Sequence, residues 1–236
     1  MAHFVCNRPK EWPVARTSTT RWRERTRKYI LEQRRGTNIA RLSEPARSHL
    51  MEPTVHIDSA LRTLRTERLV LRPLEADDAP ALLRLYGDPE VTKDNEIATL
   101  TCLEQAEVLL RAYLQFHRRF ALIPVGDAEL IGTCGYAMWD EASRMASFGY
   151  DLARPYWGHG LMREAAAAVL GYGFAVMKLN RVNALTALYN VRSMKLLAAL
   201  GFHEDGVLPQ FSYWKNDFHD MRIFSLLRSS VVPAGS

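Results

Sequence analysis

The feature that most constrains the fold is a pair of glycines, Gly158 and Gly160, in the segment "PYWGHGLMREA" at 155–165. A strand-like run precedes these glycines, and an alanine-rich, helix-forming run follows them. Glycine allows positive φ and lets a ligand approach the backbone without meeting a Cβ atom. The first turn of a helix also offers unpaired N–H groups and the positive end of a dipole, which favour an anion. The segment therefore predicts a strand, a loop and a helix that form either a phosphate site or only a tight turn.

Two common nucleotide-binding motifs do not fit this loop. The sequence contains no G-x-x-x-x-G-K-[ST] phosphate loop, and Arg163 stands where a dinucleotide-binding fold has its third glycine. A phosphate bound here would therefore belong to a ligand of another class.

The spacing of apolar residues predicts an α/β (α+β) fold. Short connections at 126–128 and 140–144 join three strand-like segments, which indicates an antiparallel meander. Helical patterns separate the other strands, so all strands are expected in one sheet. We expect a mixed, mostly antiparallel, twisted sheet of six or seven strands with about four helices. The predicted strands are 67–74, 119–125, 129–139, 145–153, 181–187, 202–214 and 219–227, and the predicted helices are 75–87, 103–118, 162–178 and 191–200.

The positive charge of the chain is concentrated at one end. The net charge is +5, yet residues 1–50 carry 12 Lys and Arg against 4 Asp and Glu, so the remainder is slightly acidic. We predict a basic, mobile N-terminal extension at 1–60, one folded domain at 61–230 and a tail at 231–236. An alternative is that residues 1–50 derive from an upstream start codon and have no role. The acidic domain gives no electrostatic reason to expect nucleic-acid binding.

The composition predicts a cytoplasmic protein. No run approaches the roughly 18 apolar residues that span a bilayer, so no membrane association is expected. Cys6, Cys102 and Cys134 are few and widely spaced, with no C-x-x-C pair, which is typical of a reduced compartment. No histidine lies near them at metal-ligand spacing, so no metal is predicted.

Three segments together resemble a known enzyme family. They are "SFGYDLARPYWGHGLMREAAAAVLGYGF", "LNRVNALTALYNVRSMKLLAALGFHEDG" and "FHDMRIFSLL", in that order. The chain from about Thr63 to Leu227 is similar to the GNAT acetyltransferases, and most similar to their branch of ribosomal-protein alanine N-acetyltransferases. The resemblance implies a GNAT-like fold, acetyl-CoA as cosubstrate, and acetyl transfer to a primary amine by direct attack in a ternary complex.

The resemblance also implies which residues hold acetyl-CoA. In the family, the loop and helix start bind the pyrophosphate through backbone amides, and the pantetheine arm inserts between two splayed strands. Asn190 matches a position near the pantetheine, although it also fits the N-cap of helix 191–200. Pro155 stands where the family signature begins with Gln or Arg, so no side-chain contact with phosphate is expected there. The implied cofactor-binding residues are Tyr150, Asp151, Leu152, Gly158, His159, Gly160, Leu161, Met162 and Asn190.

The implied catalytic groups are fewer. Ser193 matches the family position that faces the thioester sulfur and can protonate the leaving thiolate, although a solvated or capping serine is the alternative. Some relatives place a glutamate base where this chain has Ser147. Glu96 is the candidate base among loop carboxylates that include Asp94, and a solvated surface charge is its alternative. His159, between the glycines, is expected to face solvent or phosphate rather than act as a base.

The identity of the acceptor stays open. A protein N-terminus is favoured because an α-amine with a pKa near 8 is about 10% neutral at pH 7, against roughly one lysine in 2,500. Such an acceptor needs only a weak or water-relayed base. The alternatives are a small amine, such as a polyamine or an aminoglycoside-like compound, and an acetyl-CoA sensor without turnover. A monomer and a homodimer are equally compatible with the sequence.

Overall fold

The computed structural model describes residues 56–57, 63–116 and 118–231. The predicted N-terminal extension lies outside these residues except for His56–Ile57, and the predicted tail lies outside them except for Val231. None of the described helices is long and apolar enough to cross a membrane.

The described strands form one nine-stranded sheet. The strands are β1 (His56–Ile57), β2 (Leu64–Arg65), β3 (Leu69–Pro73), β4 (Arg118–Pro124), β5 (Gly132–Asp140), β6 (Met145–Leu152), β7 (Arg181–Ala187), β8 (His203–Trp214) and β9 (Asp217–Leu227). Their order in the sheet is β1-β2-β3-β4-β5-β6-β7-β9-β8. Among these strands only β6 and β7 pair in parallel. The predicted mixed, mostly antiparallel sheet is therefore confirmed.

The predicted number of strands, six or seven, is wrong. The two additional strands are β1 and β2, which have two residues each. A strand of two residues is too short to show the alternation of apolar and polar residues that identifies strands in a sequence. The seven longer strands lie where the sequence predicted them.

Six α-helices are described: α1 (Ala79–Tyr86), α2 (Pro89–Thr92), α3 (Leu103–Phe116), α4 (Leu161–Ala175), α5 (Val191–Ala199) and α6 (Arg228–Val231). The expected number was about four, and the two extra helices are the single turns α2 and α6. One turn has no helical periodicity to detect. Local capping accounts for α2 instead, because the Asp88 side chain accepts a hydrogen bond from the Glu90 amide and Pro89 occupies the first helical position.

The sheet has a hydrophobic core on each face. On one face, α1 and α3 cover β4 through buried residues that include Leu82, Leu110 and Ala121. On the other face, α4 packs on the sheet through Ala165, Ala168 and other small residues, which let the helix approach closely. Because successive strand residues point to opposite faces, Phe120 joins the second core while Ala121 joins the first.

Candidate active site

Among the described strands, β6 and β7 form the only parallel pair, and they separate before β6 ends. The registered pairs of β6 and β7 run from Met145 with Arg181 to Phe148 with Ala184 and stop there. On its other side, β6 stays paired with β5 as far as Leu152. Residues 149–152 therefore present a free strand edge beside β7.

The alternation of backbone groups tells which atoms face this opening. The Ala153 amide donates to Ile131 O on the β5 side, at 2.8 Å. Neighbouring residues point their N–H and C=O groups to opposite sides, so the backbone groups of Tyr150 and Leu152 face the gap. The Leu152 carbonyl accepts a hydrogen bond from Trp157 Nε1 at 2.7 Å. An extended ligand in the gap could bond to the remaining groups as a strand would.

The glycine loop ends at the N-terminus of α4. Gly158 has φ +81° and Gly160 has φ +76°, both in the left-handed region that favours glycine. A Cβ atom on Gly158 would meet nothing within 4 Å, so backbone conformation rather than crowding favours glycine there. The amides of residues 158–163 have no hydrogen-bond acceptor among the described residues. Unpaired donors at the positive end of a 15-residue helix form an anion site.

The start of α5 forms the opposite wall. Asn190 Oδ1 accepts a hydrogen bond from the Ser193 amide at 3.0 Å, which confirms Asn190 as the N-cap. Ser193 Oγ lies 2.8 Å from the Tyr150 hydroxyl. Burial raises the pKa of Tyr150 well above its usual value, and the hydrogen bond with Ser193 only partly offsets this. Both hydroxyls therefore stay protonated at neutral pH.

A buried polar network lies on the other face of the sheet. The Asp151 carboxylate pairs with the Arg119 guanidinium and accepts hydrogen bonds from the Tyr86 hydroxyl at 2.8 Å and from Asn95 Nδ2 at 3.2 Å. Arg119 Nε donates to Thr133 Oγ1 at 2.8 Å. The side chains of Arg119 and Asp151 are only 9% and 13% exposed. At such burial both charges need these partners, because an unpaired buried charge is costly.

One cleft of about 670 Å³ lies between the glycine loop, the free edge of β6, the start of α5 and the buried polar network. Basic side chains from the first turns of α4 and α5 line it, namely Arg163, Arg192 and Lys195. Acidic side chains from α2 and the loop after it, Glu90 and Asp94, also line it. The predicted site residues that line the cleft are Glu96, Tyr150, Asp151, Leu152, Gly158, Gly160, Leu161, Met162, Asn190 and Ser193.

His159 is the one predicted residue that is not among those lining the cleft. His159 is exposed to solvent, and its carbonyl accepts a hydrogen bond from Arg68 Nη1 at 2.9 Å. Glu96 lines the cleft and is exposed to solvent. Within the described residues, no group of three or more His, Cys, Asp or Glu side chains could hold a metal ion.

The structure adds three contacts that the sequence reasoning missed. They are the hydrogen bond between Tyr150 and Ser193, the Arg119–Asp151 pair, and the contact of Arg68 with the loop. Each joins residues that lie 32 or more positions apart in the chain. One local signal did exist for the second contact. Gly135 and Gly149 stand beside Arg119 in the neighbouring strands, and a Cβ on Gly149 would lie 3.3 Å from Arg119 Nη1.

A mixed sheet whose parallel pair opens beside a helix N-terminus with unpaired amides is the arrangement that the resemblance to the GNAT acetyltransferases implies. The family described as "Acetyltransferase (GNAT) domain" matches residues 68–203. The uncharacterised N-acetyltransferase p20 of Bacillus licheniformis is 38% identical over 173 residues, which cover 71% of this chain and 97% of p20. The chain therefore belongs to the GNAT acetyltransferase family, and it is an N-acetyltransferase.

More distant relatives have different acceptors. The ribosomal protein uS5 alanine N-acetyltransferase of Escherichia coli is 26% identical over 184 residues, which cover 72% of this chain and 93% of that enzyme. The crystal structure of spermidine N-acetyltransferase from Vibrio cholerae in complex with CoA and spermine superimposes with a TM-score of 0.61 at 23% identity, covering 68% of this chain and 96% of that one. The second likeness shows the shared fold alone.

Proposed function

We propose that this enzyme acetylates the α-amine of a polypeptide N-terminus, with direct attack on the thioester of acetyl-CoA in a ternary complex. The observation that carries the proposal is the pairing of the Asp151 carboxylate, which lines the cleft and is only 13% exposed. Asp151 is held by Arg119, Tyr86 and Asn95, so its charge is already compensated. A general base must be within hydrogen-bond reach of the proton that it takes, and a carboxylate occupied by three partners is poorly placed to take one from a lysine-like amine.

An α-amine needs less help than a lysine or a polyamine. About 10% of it is neutral at pH 7, so water can carry its proton away. Glu96 lines the cleft and is exposed to solvent, and we assign it the role of a weak, water-relayed base. The proposal therefore requires no strongly basic carboxylate in the cleft.

Other groups of the cleft suit acetyl-CoA, the acetyl donor. The unpaired amides of residues 158–163 suit the pyrophosphate, and the free groups of Tyr150 and Leu152 suit the pantetheine amides. Acetyl-CoA supplies the activated thioester. The amine nitrogen bonds to the carbonyl carbon, the carbon–sulfur bond breaks, and Ser193 Oγ donates its proton to the departing sulfur. Tyr150 passes its proton to the serine along their 2.8 Å hydrogen bond. The proton that the amine releases to water restores the tyrosine, so the proton gained by the thiolate equals the one lost by the amine.

A polyamine is the second candidate acceptor. Asp94 and Glu96 both line the cleft, and carboxylates there would attract a polycation. Against this, Glu90 is bonded to Lys93 Nζ at 2.8 Å, which reduces the acidic character of the same wall.

The test is thiol release from acetyl-CoA with a panel of amines. It includes peptides that begin with Ala, Ser or Met and carry one internal lysine, the same peptides with a blocked N-terminus, spermidine and an aminoglycoside. We expect turnover with a free N-terminus, loss of turnover on blocking, and acetyl at the α-amine by mass spectrometry. Preference for spermidine or for the internal lysine would overturn the acceptor assignment and leave the family unchanged.

The predicted cytoplasmic location belongs to this proposal. Among the described residues, Cys102 and Cys134 form no disulfide, which suits a reducing compartment. A ribosomal or other cytoplasmic protein N-terminus would be available there.

A further inference from the structure

Arg68, the residue before β3, joins the sheet to the glycine loop. Its backbone amide donates to Glu164 Oε1 at 2.8 Å, and its Nε donates to Glu164 Oε2 at 2.7 Å. Its Nη1 donates to the His159 carbonyl at 2.9 Å. Its Nη2 lies 3.6 Å from the position that a Cβ on Gly160 would take. One guanidinium thus contacts both the loop and the first turn of α4.

The contact with His159 determines where the next amide points. The His159 carbonyl and the Gly160 N–H belong to one planar peptide unit, in which C=O and N–H point in opposite directions. Gly160 lines the cleft, whereas neither His159 nor Arg68 does, so we infer that Arg68 holds the carbonyl on the outer side of the loop. Holding the carbonyl outward therefore aims the Gly160 N–H inward. Glycine's freedom about φ and ψ makes such an external restraint useful.

The contact with Glu164 removes a charge conflict. A carboxylate in the first turn of α4 would repel a bound diphosphate if it were uncompensated. Burial opposes ionisation of Glu164, but hydrogen bonds from Thr66 and Arg68 outweigh it and lower its pKa. The carboxylate is thus charged at neutral pH, and the Arg68 guanidinium bonded to it compensates that charge.

We propose that Arg68 is a positioning residue for the donor, which holds the His159–Gly160 peptide unit so that the Gly160 N–H points at the diphosphate of acetyl-CoA. The inference rests on the proposed assignment of residues 158–162 to diphosphate binding. Arg68 itself acts through the loop and need not contact the ligand. Arginine suits the role because its rigid fork serves a carboxylate and a carbonyl at the same time.

The test uses the full chain, CoA as the probe and two readouts. Calorimetry gives the Kd for CoA, and the amide resonance of Gly160 reports whether that N–H forms a hydrogen bond when CoA is saturating. Arg68→Ala removes the guanidinium. Arg68→Lys keeps a positive charge for Glu164 but loses the fork that also reaches His159. Arg84→Ala is the matched control, since Arg84 Nε bonds to Glu129 at 2.9 Å and neither residue lines the cleft.

We expect Arg68→Ala to raise the Kd for CoA about tenfold, the effect of losing a charge-assisted hydrogen bond. Arg68→Lys should lose less affinity, and Arg84→Ala none. The downfield shift of the Gly160 amide on adding CoA should be large in the wild type and reduced in both Arg68 variants even at saturation. A merely structural role would lower the melting temperature without changing this shift at saturation.

The outcomes separate the two assignments. If the wild-type Gly160 amide does not respond to CoA, the loop assignment fails and the role of Arg68 fails with it. If the wild type responds and both Arg68 variants match it in affinity and shift, the loop assignment stands and the positioning role is overturned. If Arg68→Ala does not fold, Arg68→Lys decides by the same two readouts.

Discussion

Removal of the two hydroxyls that meet at the cleft wall gives the sharpest test of the chemistry. Ser193 Oγ and the Tyr150 hydroxyl are 2.8 Å apart, and burial raises the pKa of Tyr150. A positioned general acid contributes about 10²- to 10⁴-fold, or roughly 3–5 kcal/mol of transition-state stabilisation. We therefore expect Ser193→Ala to lower kcat about 100-fold, with the Kd for CoA nearly unchanged, because the proposed role of the serine is to protonate the departing sulfur.

The partner hydroxyl should matter less. Tyr150→Phe leaves the serine in place but removes the hydrogen bond that orients and reprotonates it, a contribution of about 1 kcal/mol, so kcat should fall about fivefold to tenfold. The double variant should be no slower than Ser193→Ala, because coupled residues are not additive. Tyr213→Phe is the control, since Tyr213 is 58% exposed.

The pH profile supplies an independent readout. As pH rises, more of the amine is neutral and kcat/KM should increase. A raised pKa keeps the Tyr150 hydroxyl protonated to a higher pH than an ordinary tyrosine, so no loss of activity from this group should occur below about pH 10. Two results would refute the reasoning: both single variants with kcat within twofold of the wild type, or a larger loss for Tyr150→Phe than for Ser193→Ala, which would transfer the acid role to the tyrosine.

Three further predictions concern the loop and α4. Gly160→Asp should weaken CoA binding more than tenfold by placing a like charge at the anion site, which calorimetry measures on protein that a thermal melt shows to be folded; the φ of +76° should lower the melting temperature slightly. Gly173→Ala should destabilise the fold by about 1–3 kcal/mol in urea unfolding, because its Cβ would lie 2.1 Å from the Tyr136 hydroxyl; Gly171→Ala in the same helix meets nothing within 4 Å and should stabilise by about 0.5–1 kcal/mol. The lowered pKa of Glu164 adds stability that is lost as pH falls through its folded pKa, so Glu164→Gln should lose less stability than the wild type between about pH 5 and 3.

Local patterns in the sequence were enough to predict the glycine loop, the start of α4 and the N-cap of α5. Two glycines before an alanine-rich run predicted the loop and the start of α4, because both depend on residues adjacent in the chain. Asn190 was predicted as a cap for the same reason, and its bond to the Ser193 amide spans three residues. The free edge of β6 could be named only through the family resemblance, since its existence depends on where the pairing with β7 stops.

The buried polar network could not be predicted because its residues come from distant segments. Asn95 follows α2, Arg119 lies in β4 and Asp151 lies in β6. The predicted meander brought β4, β5 and β6 together, but a single sequence does not give the register that places Arg119 beside Asp151. The candidate loop carboxylates Asp94 and Glu96 line the cleft, yet nothing in the sequence showed that Asp151 would be compensated by Arg119.

The glycines of the central strands show how this network is nevertheless constrained by the sequence. Arg119 pairs with Gly135, and Gly135 pairs with Gly149, so two residues without side chains lie beside Arg119 across the sheet. A Cβ on Gly135 would lie 2.2 Å from the Arg118 carbonyl, and a Cβ on Gly149 would lie 3.3 Å from Arg119 Nη1. The arginine therefore crosses the sheet surface over Gly149 to reach Asp151. The same glycines that weaken strand propensity allow the ion pair that compensates the buried carboxylate, and our proposal of an α-amine acceptor rests on this compensation because such an acceptor requires only a weak base.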